Sequence, residues 1–161
     1  RRRQNYETEE QMMTEEIKEE QVEAVEPKPK KAPKKKSYFS ERELRCRHTG
    51  EYKFDDEFLD LLNKIRKECD FPFKVTSAYR HPSHPNESRK QATGAHCTGK
   101  AIDIAVSGQQ AIELVSVAIA NGITRIGVQQ KGASRFIHLD ICTKDDFPDR
   151  DYFPEEAIWS Y

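Results

Sequence analysis

Apolar residues at helical spacing mark the first predicted element, a helix in residues 55–69. They recur every three or four positions, which is the period of a helix with one buried face. The members of this stripe are Phe58, Leu59, Leu62 and Ile65. Asp55 or Asp56 stands at its start, where a carboxylate can accept hydrogen bonds from the first backbone N–H groups.

A second helix is predicted in residues 109–122, which read QQAIELVSVAIANG and are mostly apolar. Ser107 precedes this stretch and Gln110 follows three positions later, a spacing that predicts a capping box. Asn121 and Gly122 are residue types that end helices. The pattern therefore predicts the core helix of the domain.

Short apolar runs bounded by turn residues predict four strands. They cover approximately residues 74–79, 100–106, 124–128 and 135–142. Together with the two helices, this order predicts an α+β domain over residues 37–161 with a mainly antiparallel sheet. We expect the helices on one face of the sheet and a metal site on the other.

Three residues with metal-ligand side chains lie in or just before two of these strands: His96, Asp103 and His138. Successive side chains of a strand point to opposite faces, so Asp103 and His138 each lie opposite an apolar face. If both strands share a sheet, Asp103, His138 and Asp140 converge on one surface, and the loop at 93–99 can bring His96 over it.

Two imidazoles and one carboxylate are a set that holds catalytic zinc, because three protein ligands leave a fourth position open for water. The same set also occurs at non-haem iron sites. The alternative without a metal is that the three residues are unrelated polar side chains.

The sequence around these residues adds further motifs. They are VTSAYR at 75–80, GAHCTGKAID at 94–103, TRIGV at 124–128, FIHLD at 136–140 and IWSY at 158–161. In this order the stretch 39–161 resembles the zinc D-Ala-D-Ala carboxypeptidase family of bacteria and phages, whose relatives include D,D-dipeptidases, phage endolysins and the Hedgehog signalling domain. Ala78 stands where that family usually has Gly. The last part of the chain resembles the phage-type branch.

The resemblance implies that His96, Asp103 and His138 bind one zinc ion. It also implies that Arg80 is a catalytic residue that binds the substrate's carboxylate or the developing oxyanion, with Ser77 beside it in the substrate site. A planar guanidinium suits that role because it can donate two parallel hydrogen bonds to a carboxylate. The alternative is a surface Arg at a strand end.

The catalytic base is ambiguous. Several branches of the family have an acidic residue three positions before the last His ligand, but here that position is Arg135, which cannot accept a proton at neutral pH. Asp140 lies on the same strand face as His138 and is the nearest acidic substitute. It is either the base or a carboxylate that orients the His138 imidazole.

The resemblance thus implies a zinc-dependent metallopeptidase that cleaves the stem peptides of bacterial peptidoglycan, as a D-Ala-D-Ala carboxypeptidase or an endolysin. We expect a phage-encoded, virion-associated or lytic protein, located in the virion or in the cytoplasm or periplasm of the host bacterium. The alternative from another class is an inactive module of the same fold that serves cell-wall binding or virion structure.

The remaining histidines and the cysteines are weaker candidates for a metal site. His81 and His84 each precede a proline and are expected in a loop at the rim of the active site. The cysteines are scattered without a CxxC pair, so we expect free and mostly buried thiols. They are Cys46, Cys69, Cys97 and Cys142.

The first 36 residues have a different composition. Residues 1–26 form an acidic tail, and residues 27–36 form a Lys- and Pro-rich linker. The tail's apolar stripe is too thin to be buried alone, so our hypothesis is a helix bound by virion proteins. The net charge of the chain is only −1, which gives no reason to expect nucleic-acid binding. No signal peptide or membrane span is expected, because no apolar run is long enough.

Overall fold

The computed structural model describes residues 36–161. The predicted acidic tail and all but the last residue of the predicted linker lie outside the described residues.

The helices of the described part are short except for two. In chain order they are α1 (Glu41–Leu44), α2 (Asp56–Cys69), α3 (Pro85–Ser88) and α4 (Gly108–Ala120). Single 3₁₀ turns occupy Ala95–Thr98 and Lys144–Asp146. α2 begins where predicted, because the Asp55 carboxylate accepts a hydrogen bond of 2.8 Å from the backbone N–H of Phe58.

The prediction for the start of α4 was partly wrong. Ser107 is the N-cap residue, but its side chain makes no capping hydrogen bond. Gly108 follows it with φ of +57°. This left-handed residue turns the chain between Ser107 and the first regular turn, so the hydroxyl is not directed at the N–H groups that a capping box uses. The predicted end is confirmed, since Gly122 follows α4 with φ of +87°.

Five strands form one sheet in the order β1-β2-β4-β3-β5. Their bounds are β1 Lys74–Ser77, β2 Ala101–Ala105, β3 Arg125–Gln129, β4 Phe136–Asp140 and β5 Ala157–Ser160. The pairs β1–β2, β2–β4 and β3–β4 are antiparallel, whereas β3–β5 is parallel. The mixed α+β class and the mainly antiparallel sheet are confirmed, and β5 is an addition that the pattern did not predict.

The apolar core lies on one face of this sheet. β2 and β4 contribute Ile102, Ile104, Ile137 and Leu139, which are all at most 1% exposed. The buried stripes of α2 and α4 belong to the same cluster, so both long helices cover this face. Burying it removes apolar surface from water, and it leaves the alternate residues of β2 and β4 on the other face. No helix of residues 36–161 is both long and apolar enough to cross a membrane.

Candidate metal centre and active site

A row of residues crosses the sheet on the face opposite the core. The strand registers place Ser77 beside Asp103, Asp103 beside His138, His138 beside Gly127, and Gly127 beside Trp159. Directly paired residues of neighbouring strands point to the same face. The sheet therefore brings two of the predicted metal ligands together and adds Trp159 to the same row.

The third predicted ligand comes from the turn that precedes β2. The predicted loop at 93–99 contains the 3₁₀ turn Ala95–Thr98, and His96 lies in it, 5% exposed. The His96 Nδ1 atom donates a hydrogen bond of 2.6 Å to the carbonyl oxygen of Ala78. The backbone N–H of Arg80 donates to the carbonyl of His96 at 3.0 Å. These two bonds fix the turn against the end of β1.

The three predicted ligands form one buried cluster around the Asp103 carboxylate. His96 Nε2 lies 3.2 Å from Asp103 Oδ2, and His138 Nδ1 lies 2.8 Å from Asp103 Oδ1. One ligand atom from each residue lies within 4.8 Å of the other two. This spacing allows a single ion to be bound by all three.

The hydrogen-bond roles of the two imidazoles fit a cation at this position. His96 Nδ1 must carry the proton because the Ala78 carbonyl can only accept, so neutral His96 directs the Nε2 lone pair at Asp103. His138 has a carboxylate at each nitrogen, since Nε2 lies 2.9 Å from Asp140 Oδ2. A metal ion would bind the lone pairs of His96 Nε2 and His138 Nδ1 together with the Asp103 carboxylate. The other N–H of each ring would still have its acceptor, the Ala78 carbonyl for His96 and Asp140 for His138, as in known zinc sites. The residues present therefore fit zinc.

The pKa shifts of the cluster favour the protonation states that a metal ion needs in His96 and Asp103. Burial lowers the pKa of His96, which favours the neutral ring that a metal needs. Burial would raise the pKa of Asp103, but hydrogen bonds to His138 and His96 outweigh it and hold that pKa well below its usual range. Burial alone would lower the pKa of His138, whereas its bonds to Asp103 and Asp140 raise it. Asp103 is therefore ionised throughout the neutral range.

Asp140 lies on the other side of the His138 ring from Asp103. Its side chain is 0% exposed and accepts hydrogen bonds from His138 Nε2, from Arg125 Nε at 2.7 Å and from the backbone N–H of Cys142 at 3.1 Å. Burial would raise the pKa of Asp140, but the bond to His138 and the charge of Arg125 lower it. Its oxygens are thus occupied by donors.

Arg125 is a site residue that the sequence reasoning missed. It lies beside Asp140 in the register of β3 and β4, and its guanidinium also donates to the Pro154 carbonyl. The guanidinium carbon lies 4.2 Å from the centre of the Phe153 ring, a cation–π geometry. The sequence did contain a signal for it, because Arg125 begins the apolar strand in TRIGV. An Arg that is buried in a strand requires an acidic partner.

Arg80 contacts the metal cluster directly. Its Nη2 lies 3.1 Å from Asp103 Oδ2, its Nη1 lies 3.1 Å from Glu87 Oε1, and its Nε donates to Ser77 Oγ at 2.8 Å. The predicted substrate residues Ser77 and Arg80 therefore lie next to the predicted ligands. The side chain of Arg80 stays 17% exposed, so part of it faces solvent beside the cluster.

Glu87 was also missed. The segment PNES looks like an exposed turn, yet the Glu87 side chain is 1% exposed and pairs with Arg80 and with Lys90 at 2.9 Å. Gly94 leaves the space for it, since a Cβ there would lie 2.7 Å from Glu87 Oε2. Glu87 thus fixes the orientation of the Arg80 guanidinium.

Arg135, three positions before His138, lies in the turn between β3 and β4. It is exposed, and its Nε donates to the Gly132 carbonyl at 2.9 Å. The contact closes the turn between β3 and β4 and brings no carboxylate to the cluster.

Trp159 in β5 and Tyr161, the residue after β5, border the cluster. The Trp159 ring lies 5.4 Å from the His138 ring and 6.3 Å from the Tyr161 ring. Tyr161 is 55% exposed, so it can contact a ligand. Gly127 makes room for both rings, because a Cβ there would lie 2.8 Å from the Tyr161 ring and 2.9 Å from the Trp159 ring.

We expect the substitution Gly127→Ala to displace these two rings while the domain stays folded, because the clash involves side-chain ends and no backbone atom. Trp159 is the single Trp of the chain, so its fluorescence reports the displacement, and the emission should shift. Gly122→Ala is the control for a methyl group that contacts nothing, since no atom lies within 4 Å of a Cβ there; its φ of +87° should cost stability but leave the emission unchanged. An unchanged emission in Gly127→Ala would contradict the close packing.

The weaker candidates lie outside the metal cluster. His81 lies in the loop before α3. His84 is the N-cap residue of α3, and its side chain accepts a hydrogen bond from the backbone N–H of Asn86. All four cysteines are free and buried, as predicted. Among residues 36–161, His96, Asp103 and His138 are the one group with metal-ligand geometry.

A comparison with protein families gives an independent result. The family model for Peptidase M15 matches residues 37–140, a stretch that contains all three candidate ligands together with Ser77, Arg80 and Asp140. No curated protein and no solved structure matches the chain significantly.

Proposed function

Since the chain belongs to the peptidase M15 family, the zinc D-Ala-D-Ala carboxypeptidases, we propose that it is a zinc-dependent peptidase that cleaves the stem peptides of bacterial peptidoglycan. The observation that carries the proposal is the buried cluster of His96, Asp103 and His138, whose ligand atoms lie within 4.8 Å of one another. Its exposed edge carries Arg80, a group that can bind a peptide carbonyl or carboxylate.

His96, Asp103 and His138 would hold the zinc ion. The bound ion would lower the pKa of a water molecule toward neutrality and polarise the scissile carbonyl. Arg80 would donate hydrogen bonds to the negative charge that develops on the carbonyl oxygen, which is a strong contribution in a partly water-excluded site. Glu87 and Ser77 hold the guanidinium in place, so that little reorganisation is needed during the reaction.

The contacts of Asp140 favour the orienting role over the role of catalytic base. Both of its oxygens are engaged, and the His138 ring separates it from Asp103. From there it accepts the Nε2–H of His138 and fixes the tautomer that presents Nδ1 as the ligand atom. We propose that Asp140 positions His138 and does not contact the substrate.

The proposal includes the origin inferred from the sequence motifs, a phage protein with a virion-associated or lytic role whose N-terminal 36 residues bind virion proteins. The motifs TRIGV and IWSY support it. Arg135 favours the second candidate, a module that binds zinc and the cell wall without cleaving it, because several branches of the family have an acidic residue at that position.

Digestion of purified peptidoglycan tests the proposal. We expect the zinc-loaded chain to release stem-peptide fragments, identified by mass spectrometry, and Asp103→Asn to reduce the release by more than about 100-fold, since a lost ligand should exceed the effect of an outer partner. Asp149→Asn changes an exposed carboxylate outside the cluster and should cleave like the parent chain. Sedimentation with peptidoglycan but no fragment from any variant would instead support the binding module.

A further inference from the structure

A cavity of about 220 Å³ lies beside the metal cluster, at the end of β1. Its side-chain lining is basic and polar, and none of the described residues that line it is acidic. The charged or polar members from outside β1 are Arg45, Arg47, Tyr79, Arg80, His84 and Asn86. A water molecule occupies about 30 Å³, so the cavity has room for a carboxylate and the carbon atoms that carry it.

The two arginines from the segment after α1 are held over this cavity mainly by backbone carbonyls. Arg47 donates to the Val75 carbonyl at 3.1 Å, and Arg45 donates to the Gly50 carbonyl at 3.0 Å. A carbonyl orients a guanidinium without neutralising its charge. Arg45 also pairs with Glu41 at 3.2 Å, on a surface where both side chains are about half exposed. The positive charge of Arg47 is therefore less neutralised by a neighbouring carboxylate than that of Arg45.

The behaviour of His84 is consistent with a positive field in the cavity. Its pKa is lowered by burial and then by the charges of Arg80 and His48. The geometry and this direction agree that the cavity favours a negative group, since Arg47 attracts an anion at short range, whereas the charges of Arg45 and Arg80 are partly offset by their carboxylate partners.

Arg80 connects the cavity to the metal cluster. It lines the cavity, and its Nη2 lies 3.1 Å from Asp103 Oδ2, so the two sites are separated by a single guanidinium. One extended peptide residue spans about 3.5 Å. Consider a substrate peptide whose scissile carbonyl lies at the metal cluster. A carboxylate on the substrate residue next to the scissile bond would then lie at the cavity.

We propose that this cavity is a second binding site, which takes a carboxylate of the substrate peptide next to the scissile bond through Arg47, with Arg45 and His84 beside it. The inference rests on the proposed function, because it makes the same peptide the ligand. It adds a specificity: stem peptides with free carboxylates are bound in preference to those whose carboxylates are amidated.

Two synthetic stem peptides test this site, one with free carboxylates and one with amidated carboxylates. Their binding and their cleavage are measured with the zinc-loaded full chain. Dissociation constants are measured by calorimetry with the intact peptide or, where it is cut, with its products. We expect the free peptide to bind about tenfold more tightly, as for a charge-assisted hydrogen bond. Arg47→Gln should remove this difference, whereas Arg47→Lys should keep part of it.

Lys64→Gln removes one positive charge from the exposed side of α2 and should leave the tenfold preference unchanged. Equal binding of the two peptides by the parent chain would overturn the proposed site, as would equal weakening of both by Arg47→Gln. Competition by inorganic phosphate without any preference between the peptides would also overturn it and would reassign the cavity to a phosphate group. Binding preference without cleavage would support this site and refute the peptidase, so the two proposals fail separately.

Discussion

Replacing Asp140 by Asn should lower the affinity of the chain for zinc by 10- to 100-fold, the usual effect of losing an outer-shell partner of a metal ligand. Asn cannot accept from His138, Arg125 and Cys142 together, because half of its amide is a donor. The imidazole of His138 then loses its fixed tautomer. Zinc affinity is measured by competition with a chromogenic chelator, and the free energy of unfolding by urea titration.

The zinc dependence of cleavage separates the two roles of Asp140. If it orients His138, saturating zinc should restore cleavage of stem peptides by Asp140→Asn to within about tenfold of the parent rate. A general base contributes about 10²- to 10⁴-fold, so a loss of that size that persists at saturating zinc would identify Asp140 as the base. Asp149→Asn is again the control.

The single substitution leaves Arg125 buried without its carboxylate, which is a strongly destabilising arrangement. The double variant Asp140→Asn, Arg125→Gln removes that charge. It should regain part of the lost stability while the zinc affinity stays low, because the acceptor for His138 is still weakened. If the affinity recovered with the stability, the effect of Asp140 on zinc would be a consequence of local unfolding.

The part of the site that lies in strands could be predicted from the sequence. Alternation in KAIDIAV and RFIHLDI placed Asp103 and His138 on the face opposite the core, and the antiparallel register then makes them neighbours. This works because a strand has a side-chain period of two, so the apolar residues of one face determine the direction of the others.

The contributions of β5 could not be predicted. Ala157–Ser160 is four residues long, and its one aliphatic residue with a large side chain, Ile158, is 69% exposed. Without a buried apolar face the segment has no strand signal. Its position depends on pairing with β3, more than 25 residues earlier in the sequence, and only this pairing brings Trp159 to His138.

Glu87 and Arg125 were missed for a related reason. Charged residues are mostly exposed, so a single sequence favours a surface position for each of them. Their burial depends on partners and on space that the fold supplies, namely Arg80 and the missing side chain of Gly94 for Glu87, and Asp140 for Arg125. Neither feature is local in the sequence.

The substitution Gly99→Ala should destabilise the domain by about 3 kcal/mol, the largest effect on stability that we expect for a single methyl group. Gly99 has φ of +80°, a conformation that costs an L-residue about 1 kcal/mol or more. Its added Cβ would also lie 2.2 Å from the carbonyl oxygen of Lys53, a backbone atom that cannot turn aside. The adjoining segments would have to separate.

This separation would affect the metal site as well. The Gly99 carbonyl accepts a hydrogen bond of 3.0 Å from the backbone N–H of Asp55, the N-cap of α2, so Gly99 docks the turn that carries His96 onto the start of that helix. We therefore expect the melting temperature to fall by about 10 °C, given about 3 °C per kcal/mol for a domain of this size, together with weaker zinc binding. Differential scanning calorimetry and chelator competition measure the two effects.

Gly132→Ala is the matched control, because Gly132 has φ of +70° but nothing lies within 4 Å of its added Cβ. It isolates the cost of the left-handed conformation, which should be about 1 kcal/mol. The difference between the two variants then measures the close approach to Lys53. If the two variants lost equal stability, Gly99 would be required only for its left-handed backbone angle. The contact of Gly99 with the segment before α2 would then not determine the position of His96.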